Sequence, residues 1–245
     1  MTEQRCIRYG DTVIPYRVCR LDRGPARVRI HVEPDGEVVV EAPSSASDAT
    51  VAAVVQRRSA WICRYRTAIA QRKASLPVRT WVSGESHRYL GRRYMLKVRV
   101  DPAAPERVVM SGGQLRVCVA RFTPERVREL VHRWYQDRAS DRLGNRVIEL
   151  AQQLPWVRKP PPTAIRQMKS RWGSCSPAGR LTLNSLLIRA PREAVDYVIV
   201  HELCHLRHHN HSRYFYALLR RYIPDWQVVK SRLDTMADSL YAECG

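Results

Sequence analysis

Residues 198–215, VIVHELCHLRHHNHSRYF, constrain this chain more than any other stretch. Five of its eight histidines fall between His201 and His211. On a helix, residues four apart lie on one face, so His201 and His205 project together and can hold one metal ion. Glu202 sits about 100° further round the helix, where it reaches a metal-bound water without being a ligand. That is the mechanical content of H-E-x-x-H: two imidazole ligands and one general base. Val198, Ile199, Val200, Leu203 and Leu206 make this helix apolar on one side. Burying two imidazoles and a carboxylate among them is costly unless a metal or other partners satisfy them. The chain must therefore fold around a buried helix carrying a polar, metal-competent turn.

The spacing favours His211 as third ligand. It lies ten residues after His201, as the last histidine does in H-E-x-x-H-x-x-G-x-x-H proteases. Those chains turn back at a glycine, and here His208 stands at that position. Asn210 tolerates the left-handed conformation and is expected to supply the reversal. His208, His209, Asp225, Asp234 and Asp238 are the alternatives.

Around this motif the pattern is α+β. Val28, Ile30 and Val32 alternate with polar residues, and Pro34-Asp35-Gly36 reads as a turn. Residues 47–73 read as a helix capped by Ser47 or Asp48, with Val51, Val54, Val55, Trp61, Ile62 and Tyr65 at helical spacing. Segments 88–100, 107–110 and 115–120 read as a small antiparallel sheet. Thr123 and Pro124 open a helix running to Leu154, with a kink possible at Gly144. Strand segments at 163–168 and 179–188 precede the metal helix, which starts at Pro191; Ser212 and Pro224 start two more helices. The expected organisation is a β-rich region with one helix over 1–120 and a helical, zincin-like catalytic region over 121–245.

Composition bounds the function. No stretch approaches the roughly 20 apolar residues of a membrane helix, and the N-terminus lacks a secretory apolar core. Seven scattered cysteines include no C-x-x-C pair, which disfavours a cysteine zinc finger and fits a reducing cytoplasm. Forty-two basic residues oppose 23 acidic ones, for a net charge of +19, and only five of the basic residues are lysines. Such an arginine-rich surface favours a polyanion, DNA above all.

At this point the sequence resembles a known family. The run MKSRWGSCSPAGRLTLNSLLIRAPREAVDYVIVHELCHLRHHNHSRYF is similar to the YgjP-like predicted zinc metallopeptidases, relatives of the SprT-type proteases. Weaker likeness extends upstream through DGEVVVEAP, Trp61-Ile62, SGE and YLGRRY. The resemblance implies one zinc ion on His201, His205 and His211, with Glu202 catalytic and a polypeptide substrate. It also implies, through the SprT relatives, action on DNA-bound proteins. Tyr216 stands where the family usually has tryptophan, at a packing position. In zinc proteases a strand beside the active-site helix often pairs with extended substrate. Here the 179–188 strand is expected to offer that edge, with Arg171, Trp172 and Ser174 lining the cleft. Tyr214, Tyr216 and Tyr222 are candidate oxyanion stabilisers. Cys175 has no spare base to make it a nucleophile. Two other readings share the motif: a DNA-associated metalloprotein, and a metal hydrolase acting on a non-peptide amide.

Overall fold

The computed structural model describes residues 2–21, 27–32, 36–74, 79–169 and 171–242. Its contacts divide the chain into two compact units, Met1–Pro77 and Val78–Gly245. The division is not near 120, where strand gives way to helix. The strands of 86–119 and the helices after them share one apolar core, so the change in local pattern falls inside a unit.

In the first unit, β1 (Thr2–Tyr9) and β2 (Thr12–Leu21) form an antiparallel hairpin. β2 pairs in parallel with β4 (Val38–Pro43), which pairs antiparallel with β3 (Arg29–Val32). Ile14, Tyr16 and Val18 alternate inward against Val38, Val40 and Ala42, and α1 (Asp48–Ala74) covers them with Val51, Val55 and Ile62. This hairpin escapes sequence reading because Pro15 argues against a central strand. The structure tolerates it because pairing with β4 begins only at Tyr16. Ser47 caps α1, its Oγ accepting from the Thr50 N–H at 3.2 Å. Trp61 and Tyr65, expected on the apolar stripe, are instead 37% and 42% exposed and stack on each other. The Pro34-Asp35 part of the expected turn lies outside the described residues.

The second unit begins with β5 (Ser86–Tyr89), β6 (Arg92–Val100), β7 (Arg107–Ser111) and β8 (Gln114–Val119), paired in the order β5-β6-β8-β7. A smaller sheet orders β9 (Thr163–Arg166), β10 (Gly173–Cys175) and β11 (Leu181–Asn184) as β10-β11-β9. Each of these two sheets contains one parallel pair, β6–β8 and β9–β11, whereas the first was expected to be antiparallel throughout. Helix α2 (Pro124–Gln153) starts as its sequence dictates, with Thr123 Oγ1 accepting from the Arg126 N–H. It runs unbroken through Gly144 and buries Val127, Val131, Ala139, Leu143 and Val147; Ile148 faces outward. A 3-10 turn (Ser185–Arg189) leads into α3 (Arg192–Cys204), followed by α4 (Arg213–Tyr222) and α5 (Trp226–Ala242). Among the described residues no helix is long and apolar enough to cross a membrane.

Two devices fix α3, the helix that carries H-E-x-x-H. Arg146 on α2 makes a bidentate bond to Asp196, at 2.7 and 2.8 Å. The β5–β6 turn docks on the 3-10 turn through Leu90 N–H to Ile188 O and Gly91 N–H to Arg189 O. Beside this junction lies a buried polar cluster. Trp81 packs between His87 and His132, and neither histidine's Nε2 has a hydrogen-bond partner. Burial first, then Arg79 and Arg189, push His87 from 6.5 down to about 3, against the opposing pull of Glu85. Burial, Arg189 and Arg128 push His132 down to about 4.

Both histidines are therefore neutral in the fold, while the unfolded chain takes up protons below pH 6.5. Their stabilisation is complete above that value and is lost as pH falls towards 4, by about 1.4 kcal/mol per pH unit for each ring. Thermal melting should drop steeply between pH 6.5 and 5, and replacing both by phenylalanine should make the drop shallower. A wild-type melting point constant over that interval would contradict this account.

Candidate metal centre

The last turn of α3 tightens. His205, Leu206 and Arg207 donate their N–H groups to Glu202, Leu203 and Cys204, each three residues back, at 3.1–3.2 Å. Trp156 Nε1 donates to the Leu203 carbonyl at 3.1 Å and satisfies another end group. The His208 N–H then bonds Cys204 O, and the Ser212 N–H bonds Asn210 O, so the chain reverses without a left-handed residue. Among the described non-glycine residues, positive φ is confined to Trp81 and Leu90. The expected reversal at Asn210 is thus replaced by a run of right-handed turns. Ser212 caps α4, its Oγ accepting from the Phe215 N–H.

This turn brings His211 back over α3. One ring nitrogen from each of His201, His205 and His211 lies within 4.8 Å of the others. His201 Nε2 and His211 Nε2 are 3.0 Å apart. Tetrahedral metal–nitrogen bonds of about 2.0–2.1 Å would place ligand nitrogens roughly 3.3 Å apart, close to the His201–His211 separation. His205 Nδ1 is 3.0 Å from the His208 carbonyl, which can only accept. Nδ1 therefore carries the proton, and Nε2 keeps its lone pair for a metal. Three imidazole donors converging this way fit a divalent transition metal.

The floor of the cluster is Phe215, fully buried, with its ring centroid 4.9, 4.7 and 4.7 Å from those of His201, His205 and His211. The competing ligands lie elsewhere. His208 stacks on Tyr214, His209 is exposed, and Asp234 pairs with Lys230. Asp225 is exposed and contributes its backbone carbonyl to the start of α5. The Asp238 side chain lies outside those described. Among the described residues, the three histidines are the one cluster of metal-ligand geometry.

Glu202 is 6% exposed. Burial pushes its carboxyl up to about 7, opposed by the charge of Arg171. Burial, then neighbouring His211 and His205, hold His201 down at about 3. Glu202 lies directly against Gly173, where an added Cβ would meet its Cγ at 2.7 Å and Oε1 at 2.8 Å. Burial, then Glu202, raise the Cys175 and Cys204 thiols, the latter to about 12, so neither is a thiolate at neutral pH.

The free strand edge differs from expectation. β11 is paired on both sides and has no edge to offer. The edge beside Glu202 belongs to β10. Asn184 N–H bonds Trp172 O and Ser176 N–H bonds Arg180 O, so in this antiparallel ladder residues 172, 174 and 176 face β11. The backbone groups of Gly173 and Cys175 consequently point away from the sheet.

Arg171 is exposed and close enough to act on Glu202. Trp172 packs on Tyr241, and Ser174 pairs opposite Thr182. Tyr214, 58% exposed, is held by Arg213. Tyr216 stacks on Trp226, and Tyr222 sits edge-on to Trp156. Asn184 escaped the sequence reading. Fully buried, it donates to the Met168 and Arg171 carbonyls at 2.8 Å and accepts from the Leu186 N–H. It ties the loop before β10 to the 3-10 turn. A polar residue closing the apolar run LTLN was its signal.

A search of the curated proteins finds no match. Two solved structures share part of the chain. The metallopeptidase zymogen of Pyrococcus abyssi abylysin is 24% identical over 41% of this chain and 90% of its own, with a TM-score of 0.31. That of Methanocaldococcus jannaschii jannalysin is 23% identical over 40% and 96%, with a TM-score of 0.33. The model of the YgjP-like metallopeptidase domain, however, matches residues 26–236, which include every strand and helix from β3 to α4 and all of the histidine cluster. The chain belongs to the YgjP-like metallopeptidase family.

Proposed function

We propose that this protein hydrolyses peptide bonds at a single zinc ion held by His201, His205 and His211, with Glu202 as the proton-transferring group. The observation that carries the reading is the convergence of three imidazole nitrogens within 4.8 Å, one helical residue from a buried carboxylate. Zinc in such a site supplies Lewis acidity and makes a bound water acidic enough to attack a carbonyl at neutral pH. Glu202 takes the proton as attack proceeds and returns it to the leaving amine nitrogen. The His208 carbonyl fixes the tautomer of His205, and Phe215 keeps the three rings in register. Substrate runs extended along β10, pairing with the outward backbone groups of Gly173 and Cys175. Arg171 stands where it meets a carbonyl or carboxylate of that strand, with Trp172, Ser174 and Tyr214 as further contacts at the rim.

Metal analysis tests the ligand set. The wild-type protein should hold one equivalent of zinc and cleave casein. Chelation should abolish cleavage, and added zinc should restore it. His211→Ala should lower zinc affinity by more than the roughly 10–100-fold that outer-shell partners are worth. Unchanged zinc affinity in that variant would remove His211 from the site.

A further inference from the structure

The sheet of β5, β6, β8 and β7 turns Leu96, Leu115 and Val117 to the core. Strand alternation sends Arg93, Lys97 and Arg99 of β6, Arg116 of β8 and Arg107 of β7 to the other face, where all five are exposed. Register gathers them. Lys97 lies beside Arg116, and Arg99 and Arg107 flank Cys118 from either side. Strands are about 4.8 Å apart and alternate residues about 6.8 Å, so the cations share a face roughly 10 Å wide and about 20 Å long. Arg99 bonds Asp101 at 2.8 Å; among the described residues no carboxylate pairs with Arg93, Lys97, Arg107 or Arg116. Like charges on neighbouring strands repel and cost stability. The sheet carries that cost without the interleaved acids found on α2, where Arg126 and Arg133 both pair with Glu129.

We propose that this face docks the phosphate backbone of duplex nucleic acid. Four of the five cations are arginines, whose planar forks match phosphate oxygens in pairs. Between them lie Met95 and Val109, 52% and 44% exposed, and no aromatic ring. The face therefore lacks the stacking platform that unpaired bases require. Contacts from these cations to phosphate oxygens position a duplex without reading its sequence. The surface is independent of the histidine cluster and stands whether or not the peptidase reading does.

The experiment is fluorescence anisotropy of a short labelled DNA duplex, titrated with full-length protein over a range of salt. The wild type should bind at low salt, with log K falling linearly against log salt. Neutralising Lys97, Arg107 and Arg116 together to glutamine should make that slope shallower by about 2.7, at about 0.9 per phosphate contact. The same variant should melt no lower than the wild type, since it relieves repulsion. A control triple on α2, with Arg128, Arg133 and Arg142 changed to glutamine, should leave the slope nearly unchanged. Equal losses from the two triples would reduce the effect to net charge and overturn the proposal. So would absence of duplex binding at low salt, or polyglutamate of matched charge binding as tightly, which would assign the face to acidic proteins.

Discussion

Glu202→Gln should purify with as much zinc as the wild type and cleave casein about 10²–10⁴-fold more slowly. Glutamine has nearly the same shape, so the close contact with Gly173 and the packing of α3 survive. The three histidines are untouched, and metal content should not change. What is lost is the ability to take a proton and hand it on. A buried carboxylate beside three imidazoles, 6% exposed and walled by glycine, is a poor arrangement for stability alone. If its role were structural, the amide would serve nearly as well. Measuring zinc by mass spectrometry beside the cleavage rate separates the two roles. Wild-type proteolysis in the variant would remove Glu202 from the chemistry, and loss of zinc would recast it as part of the metal shell.

The residues legible in the sequence are those whose relation is local. His201, Glu202 and His205 sit within one helical turn, and His211 follows at a spacing that a short reversal can span. The helix starts at Thr123, Ser47 and Ser212 were legible for the same reason, since a cap acts within three residues. The turn itself was misjudged because a glycine-free reversal suggested a left-handed residue. The chain uses consecutive right-handed turns tied back to Glu202, Leu203 and Cys204. What local pattern cannot show is which distant segments meet. Asn184 reaches back to Met168 and Arg171, and Gly173 approaches a helix beginning 19 residues later. The edge strand was misassigned for that reason. LTLN is the more apolar segment, and its apolarity reflects burial between two neighbours, whereas the edge strand can be as short and plain as Gly-Ser-Cys.

Gly173→Ala should lower the turnover of peptide substrate by about 10–100-fold while leaving zinc content intact. A methyl group there would sit 2.7 Å from Glu202 Cγ, 2.8 Å from Oε1 and 3.0 Å from Cδ. Those separations are too short for carbon or oxygen, so the carboxylate or the strand must move. The carboxylate is the free end of its side chain, but it is buried, and β10 is held through Ser174, Trp172 and the Asn184 bonds behind it. Displacement of a catalytic group by about 1 Å is enough for a loss near 10²-fold. Overpacking should also cost about 1–3 kcal/mol of stability, which a melting curve will report. Double-mutant analysis distinguishes a steric effect on Glu202 from general damage. With Glu202 already changed to glutamine, Gly173→Ala has no working base left to displace, and its further cost in turnover should be slight. Additive losses in the two backgrounds would mean that glycine serves the strand or the substrate. Non-additive losses would identify Gly173 as the residue that sets where Glu202 stands.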